Sequence, residues 1–297
     1  MKTWSTPVCD GKSGIVPCSC CGSSSFKPAL ECEGFNYVRC SSCGLVQMNP
    51  QPVKDEILAR YGSKFGKDYL SYEIENENSF LRLQKLALKD SGFYKTEKTL
   101  MLRKTQAPTV LDIGCATGTL LAFLRDRGWD VKGVEISPAA EYARNARQLD
   151  VQNIPLEEIA FSSGSFDIVL ASHLIEHLND PFSFLKEAHR ILKDDGKIFI
   201  TTPNINGLQA YIYGSGWRSA IFDHLYLFSA HTLKITLKRA GFKVEKLSTW
   251  GGIAAGLAPV WIKKSADFLA KRLGFGDVMI IRARKSDKEI HRRKIVK

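Results

Sequence analysis

At 297 residues the chain is long enough for one large or two smaller domains with ample buried core. Its 44% hydrophobic and 25% charged content is ordinary for a globular protein. The start MKTWSTPVCDGK lacks the apolar run of a secretory signal, and the apolar stretch Gly251–Ile262 contains Pro259 and is too short to span a bilayer, so a cytoplasmic protein is expected.

The first 50 residues read as a metal-binding segment. Seven of the eight cysteines fall within residues 1–43. Cys18, Cys21, Cys40 and Cys43 form two C-x-x-C-G knuckles separated by 18 residues. That is zinc-ribbon spacing: four thiolates converge tetrahedrally on Zn²⁺, and the glycines permit the tight turns. A disulfide framework would need an oxidising compartment. All-thiolate ligation leaves no open coordination position, so the zinc is expected to be structural, supplying folding free energy that a short segment lacks. Cys20 offers a pairing shifted by one residue; the C-x-x-C spacing favours Cys21 and leaves Cys20 a bystander. Residues 1–17 are expected to be poorly ordered, with short strands near Tyr37–Arg39 and Leu45–Met48.

Residues 51–105 read as a helical linker or lid. A short helix is predicted near Val53–Tyr61 after the turn NPQP. A longer one runs from about Glu73 to Lys89, with Phe80, Leu83, Leu86 and Ala87 on one face, and a third from roughly Lys95 to Lys104.

Residues 106–285 alternate strands and helices, which implies a parallel sheet covered on both faces. Strands are predicted near 109–113, 131–136, 150–154, 166–171 and 196–202, and helices near 118–127, 138–149, 181–193 and 231–240. Phe242–Thr249 and Val278–Arg284 close one edge as a hairpin-like pair. The most informative stretch is TVLDIGCATGTLLAFLRDRGWDVKGVEI, residues 109–136: a buried strand, a glycine turn, a helix, and a second strand ending in an acid. It is half of a mononucleotide-binding βαβ unit, whose ligands sit at the carboxyl ends of the strands. Gly114 and Gly118 admit close backbone approach, and Glu135, 21 residues after Gly114, is placed to grip both hydroxyls of a ribose. A dinucleotide fingerprint would need glycine where the chain has Ala116 and Thr119, and no phosphate-cradling G-x-x-x-x-G-K-[ST] loop is present. D-x-G-x-x-x-G suits a ligand with a ribose and no pyrophosphate.

LDIGCATG with GVEIS resembles the class I S-adenosylmethionine-dependent methyltransferases. The resemblance extends to SFDIVLASHLIEHLNDP (165–181), EAHRILKDDGKIFITTPN (187–204) and HLYLFSAHTLKITLKRAGF (224–242). It implies an α/β, Rossmann-like seven-stranded sheet of order 3-2-1-4-5-7-6 with strand seven antiparallel, here preceded by the small zinc ribbon. It also implies S-adenosyl-L-methionine as cofactor. Asp112 then orders the turn or reaches the methionine amino group, Gly114, Cys115 and Gly118 flank the ligand, Glu135 and Ile136 bind the ribose, and Glu157 or Leu156 faces the adenine. Ser172 ends the strand beside the methyl-bearing face.

His173, Glu176 and His177 fall at i, i+3 and i+4, a spacing that would put them on one helix face. Such a face can supply a general base or hold a divalent cation; the other reading is a silent, hydrogen-bonded His177. The long segment 204–230 mixes glycines with aromatics and suits a substrate wall, with Trp217, Asp223 and His224 as acceptor-site candidates. His177 and His224 are the candidate bases. SHLIEH stands where amino-group methylases of the family carry N-P-P-Y, which favours oxygen or carbon acceptors on a small molecule, sugar or lipid headgroup. Ribbon and tail docking RNA, or a non-catalytic cofactor-binding scaffold, are the alternatives.

Residues 263–297 carry twelve Lys/Arg against four Asp/Glu, most of the net +11 of the whole chain. The basic tail 286–297 is expected to touch anionic lipid, nucleic acid or a phosphorylated substrate, or simply to be solvated.

Overall fold

A computed structural model describes residues 14–62, 64–252 and 259–286. The chain opens with β1 (Phe26–Cys32), β2 (Phe35–Cys40) and β3 (Val46–Met48), followed by three helices, α1 (Lys54–Gly62), α2 (Lys64–Ser91) and α3 (Phe93–Arg103). The alternating core then runs β4 (Thr109–Ile113), α4 (Thr119–Arg125), β5 (Asp130–Val134), α5 (Ala139–Arg147), β6 (Val151–Gln152), β7 (Phe166–Ser172), α6 (Pro181–Ile191) and β8 (Leu192–Pro203). After it come α7 (Leu208–Tyr213), β9 (Tyr226–Leu227), α8 (Ala230–Arg239), β10 (Phe242–Trp250), α9 (Val260–Leu273) and β11 (Val278–Lys285).

The seven-stranded sheet has the order β10-β11-β8-β7-β4-β5-β6. Numbered by position within this sheet alone, that is the expected 3-2-1-4-5-7-6 arrangement. The central strands pair in parallel and β11 runs antiparallel to both β8 and β10. Successive residues of a strand face opposite sides, and both sides are buried. On one side Leu111, Val169, Ile198 and Ile281 pack on Phe184, Leu185 and Ala188 of α6. On the other, Val110, Ile168, Phe199 and Ile280 pack on Leu88, Phe93, Leu124 and Trp129.

The ribbon is fused to this core rather than strung ahead of it. β9, from the segment after β8, adds to β3 as the fourth strand of the ribbon sheet. Tyr37 of β2 is buried and donates its hydroxyl to the carbonyls of Ile221 and His224, at 2.8 and 2.7 Å. Cys18, Tyr37, Leu45 and Met48 share one apolar cluster with Leu225–Phe228 and the α6 face of the large sheet.

Several expectations need correction. β1 was not anticipated, and α2 begins at Lys64 rather than near Glu73. Residues 14–17 are held in place: Gly14 pairs with Gln51, and Val16 donates to the Asn49 side chain. The remainder of the segment expected to be poorly ordered, residues 1–13, and the tail from 287 onward lie outside the described residues. Among the described residues, no helix is long and apolar enough to cross a membrane.

Candidate functional site

The glycine turn wraps the carboxyl ends of the two central strands. Gly114 and Cys115 both donate to the carbonyl of Val134, at 2.8 and 3.2 Å. Gly114 has φ 75°, and a Cβ there would sit 3.3 Å from the Leu174 side chain, so the turn borders the exit of β7 directly. Gly118 is required for a different reason than expected. Its φ is 74° and a Cβ would lie 2.5 Å from Leu149, so packing of α4 on its neighbours, not ligand approach, demands glycine. Ala116 also takes a positive φ, 47°. What holds that strained residue is Glu135, whose Oε2 accepts the Ala116 N–H at 2.9 Å while Oε1 accepts that of Ser137 at 2.8 Å. The buried carboxylate retains lone pairs for further donors.

Asp112, on the adjacent strand, is 2% exposed and its Oδ1 has no hydrogen-bond partner within the protein. Burial, with the Glu135 charge adding, pushes its carboxyl up to about 8. An unmet buried acceptor beside Glu135 is what a cradle for a cationic, hydroxyl-bearing ligand would present. The folded value lies above the unfolded one of about 3.9. The carboxyl therefore leaves stability intact below pH 4 and lowers it progressively as pH rises toward 8. Asp112→Asn is expected to raise the melting temperature of the free protein at pH 7.5, with the gain vanishing near pH 4. A pH-independent difference would show that Asp112 is not the titrating group.

The Cys115 side chain turns away from the crevice, packing against Gly133 and Leu121, so only its backbone borders the turn. Ile136 is half-buried beyond the end of β5, and Ser172 ends β7. Glu157 is corrected: it is exposed on a short 3-10 turn and lines a depression with Lys186, Glu187 and Arg190. The polar side chain that does reach the tip of β5 is Asn153, donating to the carbonyl of Glu135 at 2.7 Å. Its place directly after β6 could have signalled it.

Immediately after β7 the chain makes a 3-10 turn instead of an α-helix, so His173, Glu176 and His177 do not share a helix face. His173 has φ 52° and a 3-10 turn, Ile175–His177, follows. His173 Nδ1 lies 3.2 Å from one oxygen of the fully buried Glu176, and Thr202 Oγ1 donates to the other at 2.9 Å. Burial alone would raise the Glu176 carboxyl, but the His173 hydrogen bond and the surrounding imidazoles outweigh it and hold it at about 2. The third member of the cluster is His224: its ring meets that of His177 edge to face with centroids 4.7 Å apart. Glu176, His177 and His224 each offer a ligating atom within 4.8 Å of the others. Burial, then the neighbouring His177, lower the His224 imidazole to about 3, so it is neutral at physiological pH. Its Nδ1 lies 2.8 Å from the Ser219 carbonyl; in the neutral ring that nitrogen donates and Nε2 becomes the acceptor. His177 Nδ1 is buried with no partner within the protein.

Trp217 is corrected as an acceptor-site candidate. It is buried and donates its indole N–H to Asp277 at 2.5 Å, at the start of β11. Asp223 pairs with Arg60 of α1 at 3.1 Å. The first two helices supply residues that the sequence reading missed. Tyr69 and Glu73 of α2 are close enough for Glu135 to perturb both, and burial raises the Glu73 carboxyl to about 7 against a hydrogen bond from Tyr69. Glu77 pairs with Arg147, which in turn donates to the carbonyl of Thr117 at 2.9 Å. Thus α2 lies over the glycine turn.

In the ribbon, Cys18, Cys21, Cys40 and Cys43 bring their sulfurs within 4.8 Å of one another. The Cys18–Cys43 and Cys21–Cys40 separations are 3.4 and 3.5 Å, far beyond a disulfide. Tetrahedral Zn–S bonds of about 2.3 Å place thiolates nearly 4 Å apart, so the geometry is compatible with zinc. Cys20 is fully buried in the apolar cluster and outside this set.

A doubly covered sheet in this order, with a glycine turn and acids at the tips of its two central strands, defines a nucleoside-binding α/β fold of the Rossmann-like class. The chain belongs to the methyltransferase domain family, whose sequence model matches residues 81–247, more than half its length. Among curated proteins it is 34% identical over 112 residues to the ubiquinone biosynthesis O-methyltransferase of Pseudomonas paraeruginosa, covering 35% of this chain and 48% of that protein. The corresponding protein of Acinetobacter baumannii is 37% identical over 105 residues, 33% and 44% of the two chains. The chain therefore spans about half the length of the curated relatives it matches. A SAM-dependent methyltransferase from Thermotoga maritima shares the fold with a TM-score of 0.54 at 24% identity, over 78% of this chain and 99% of that one. One from Archaeoglobus fulgidus does so at 0.51 and 22%, over 73% and 99%.

Proposed function

We propose that this protein is an S-adenosylmethionine-dependent methyltransferase acting at oxygen or carbon on a small molecule, with a structural zinc ion in its ribbon. The observation that carries the reading is the pair of buried carboxyls, Asp112 and Glu135, at the tips of adjacent strands on either side of the glycine turn. Glu135 holds the turn and offers its remaining lone pairs to ribose hydroxyls. Asp112 faces the amino end of the ligand, where its unmet oxygen finds a donor. Gly114, Gly118, the Cys115 backbone, Ile136 and Ser172 complete the wall, and α2 covers it from outside. When bound, S-adenosylmethionine supplies an electrophilic methyl group on a positively charged sulfur.

The protein's remaining task is alignment, exclusion of water and removal of one proton. His177 and His224 perform the last. Leu174 joins their cluster to Gly114, so the bases stand next to the cofactor turn. Glu176, fixed by His173 and Thr202, places an anion against the imidazole that takes the proton, and His224 is oriented by the Ser219 carbonyl. The O-methyltransferase names of the relatives favour a small-molecule hydroxyl over RNA.

Calorimetry with S-adenosylmethionine, NAD and ATP tests the cofactor assignment; tight binding of NAD or ATP instead would refute it. Transfer of labelled methyl to a panel of phenolic and catecholic acceptors tests the reaction. With an active acceptor, His177→Gln is expected to lower kcat about 100-fold or more while cofactor affinity is unchanged. An unchanged kcat would remove His177 from proton transfer.

A further inference from the structure

Helix α2 turns one stripe of residues toward the protein, and the stripe changes character where it passes the crevice. Near the helix end it is apolar: Ala87 and Leu88 are buried with Phe93, Leu124 and Trp129. Near the helix start it is polar. At about 3.6 residues per turn, Gly66, Tyr69, Glu73 and Glu77 fall within an arc of roughly 80° on the same side as Ala87 and Leu88. The large apolar residues of this half point outward instead, Tyr72 being 46% and Ile74 36% exposed. A helix that only completed the fold would carry its apolar residues inward throughout.

The outer members of the polar stripe pin the helix across the crevice. Gly66 is buried, and a Cβ there would lie 3.0 Å from the Pro138 side chain and collide with the carbonyl oxygen of Tyr61. Pro138 follows closely on Glu135 and Ser137 at the tip of β5. At the other end Glu77 pairs with Arg147, whose Nε donates to the carbonyl of Thr117 in the glycine turn at 2.9 Å. Tyr69 and Glu73 lie between these two anchors. Tyr69 donates its hydroxyl to the Glu73 carboxylate, and that carboxylate feels both the Glu135 charge and the His173 imidazole.

We infer that Glu73, oriented by Tyr69, is a cofactor-binding residue that reads the charge on the ligand's sulfur and so favours S-adenosylmethionine over S-adenosylhomocysteine. This rests on the cofactor reading above. There Glu135 takes the ribose hydroxyls, and His173, one residue past the end of β7, stands on the methyl-bearing side. The sulfur joins those two regions, and a carboxylate coupled to both stands over it. Asp112 and Glu135 hold the amino group and the ribose, which methyl transfer leaves unchanged. Only the sulfur changes: both electrons of the broken carbon–sulfur bond stay on it and its positive charge is lost. Glu73, Asp112 and Glu135 put three carboxyls around one crevice, Asp112 Oδ1 has no partner within the protein, and Arg147 is committed to Glu77 and Thr117. A cationic ligand relieves the repulsion among these carboxyls; the neutral sulfur of the spent product does not. Glu73 thereby helps product to leave and fresh cofactor to enter.

The test is calorimetry of the full-length protein with three ligands: S-adenosylmethionine, S-adenosylhomocysteine, and sinefungin, which carries an amine in place of the sulfonium. Glu73→Gln keeps the side-chain volume and an oxygen for the Tyr69 hydroxyl while removing the charge. It is expected to weaken S-adenosylmethionine and sinefungin about tenfold or more and S-adenosylhomocysteine less than about threefold, with the wild-type circular dichroism retained. Glu73→Asp restores the charge on a shorter stem and should give a smaller loss of the same selectivity, which keeps the test open if the glutamine variant does not fold. Equal losses for all three ligands would make Glu73 a wall that does not sense charge, and unchanged affinities would place it outside the site; either overturns the inference. Wild-type protein that binds none of the three refutes the cofactor reading and this inference with it. Wild-type binding with an unselective Glu73→Gln variant refutes the role of Glu73 alone.

Discussion

Replacing Glu135 with alanine is expected to weaken S-adenosylmethionine binding about 100-fold or more. Two losses combine. Hydrogen bonds from ribose hydroxyls to a carboxylate are charge-assisted, about 1.5–3 kcal/mol each, and two of them amount to two or more factors of ten. The same substitution strips Ala116 and Ser137 of the acceptor for their N–H groups and frees a residue held at positive φ. The turn then has to be ordered again by the ligand. Glu135→Gln separates the two effects. The amide keeps one oxygen for a backbone N–H and presents a donor in place of the other, so the turn is partly kept while ribose recognition is lost. Calorimetry should place Glu135→Gln between wild type and Glu135→Ala. Wild-type affinity in both variants would show that Glu135 serves the turn alone and that the ribose is bound elsewhere.

What was legible in the sequence was local. The glycine turn, the acid at the tip of β5 and the alternation of strands and helices are written in contiguous residues, because a turn with φ near 75° at Gly114 can be made by few residue types. The four ribbon thiols were legible for the same reason, two short knuckles each fixed by its own spacing. Chemistry assembled from distant segments was not. The i, i+3, i+4 spacing of His173, Glu176 and His177 suggested a helix, but positive φ at His173 prevents one, and the partner that completes the cluster, His224, arrives 47 residues later on a segment tied to the ribbon. Tyr69 comes near Glu135 because α2 starts nine residues earlier than its apolar pattern suggests, and Glu73, the first residue of the expected helix, comes near it only through the packing of that helix over the glycine turn. The acidic candidate after β6 failed because the chain bends at Pro155 into a 3-10 turn and carries Glu157 outward. Helix α9 was missed because its pattern is inverted: apolar residues that face solvent look, in sequence, like an irregular apolar stretch.

Cys40→Ser is expected to abolish stoichiometric zinc and to lower turnover while leaving cofactor binding within a few-fold of wild type. The first outcome follows from ligand count, since three thiolates and a hydroxyl hold the ion far less tightly than four thiolates. Binding energy in a segment this short is folding energy, so several kcal/mol of ribbon stability should go with the metal. The second outcome depends on how the ribbon is attached. Cys40 ends β2, whose Tyr37 fixes the carbonyls of Ile221 and His224, and β3 pairs with β9 two residues after His224. Loosening the ribbon therefore releases His224 from one side while Glu176 and His177 stay on the turn after β7. Asp112, Gly114 and Glu135 are carried by β4 and β5 and are covered by α2, none of which belongs to the ribbon sheet. Metal analysis, calorimetry and kcat measured on the same preparation distinguish the cases. A variant that loses zinc yet keeps wild-type kcat would make the ribbon a separable appendage. One that loses cofactor binding as steeply as turnover would mean that the ribbon supports the entire fold. Only a fall in kcat with the cofactor still bound identifies it as the outer wall of the acceptor site.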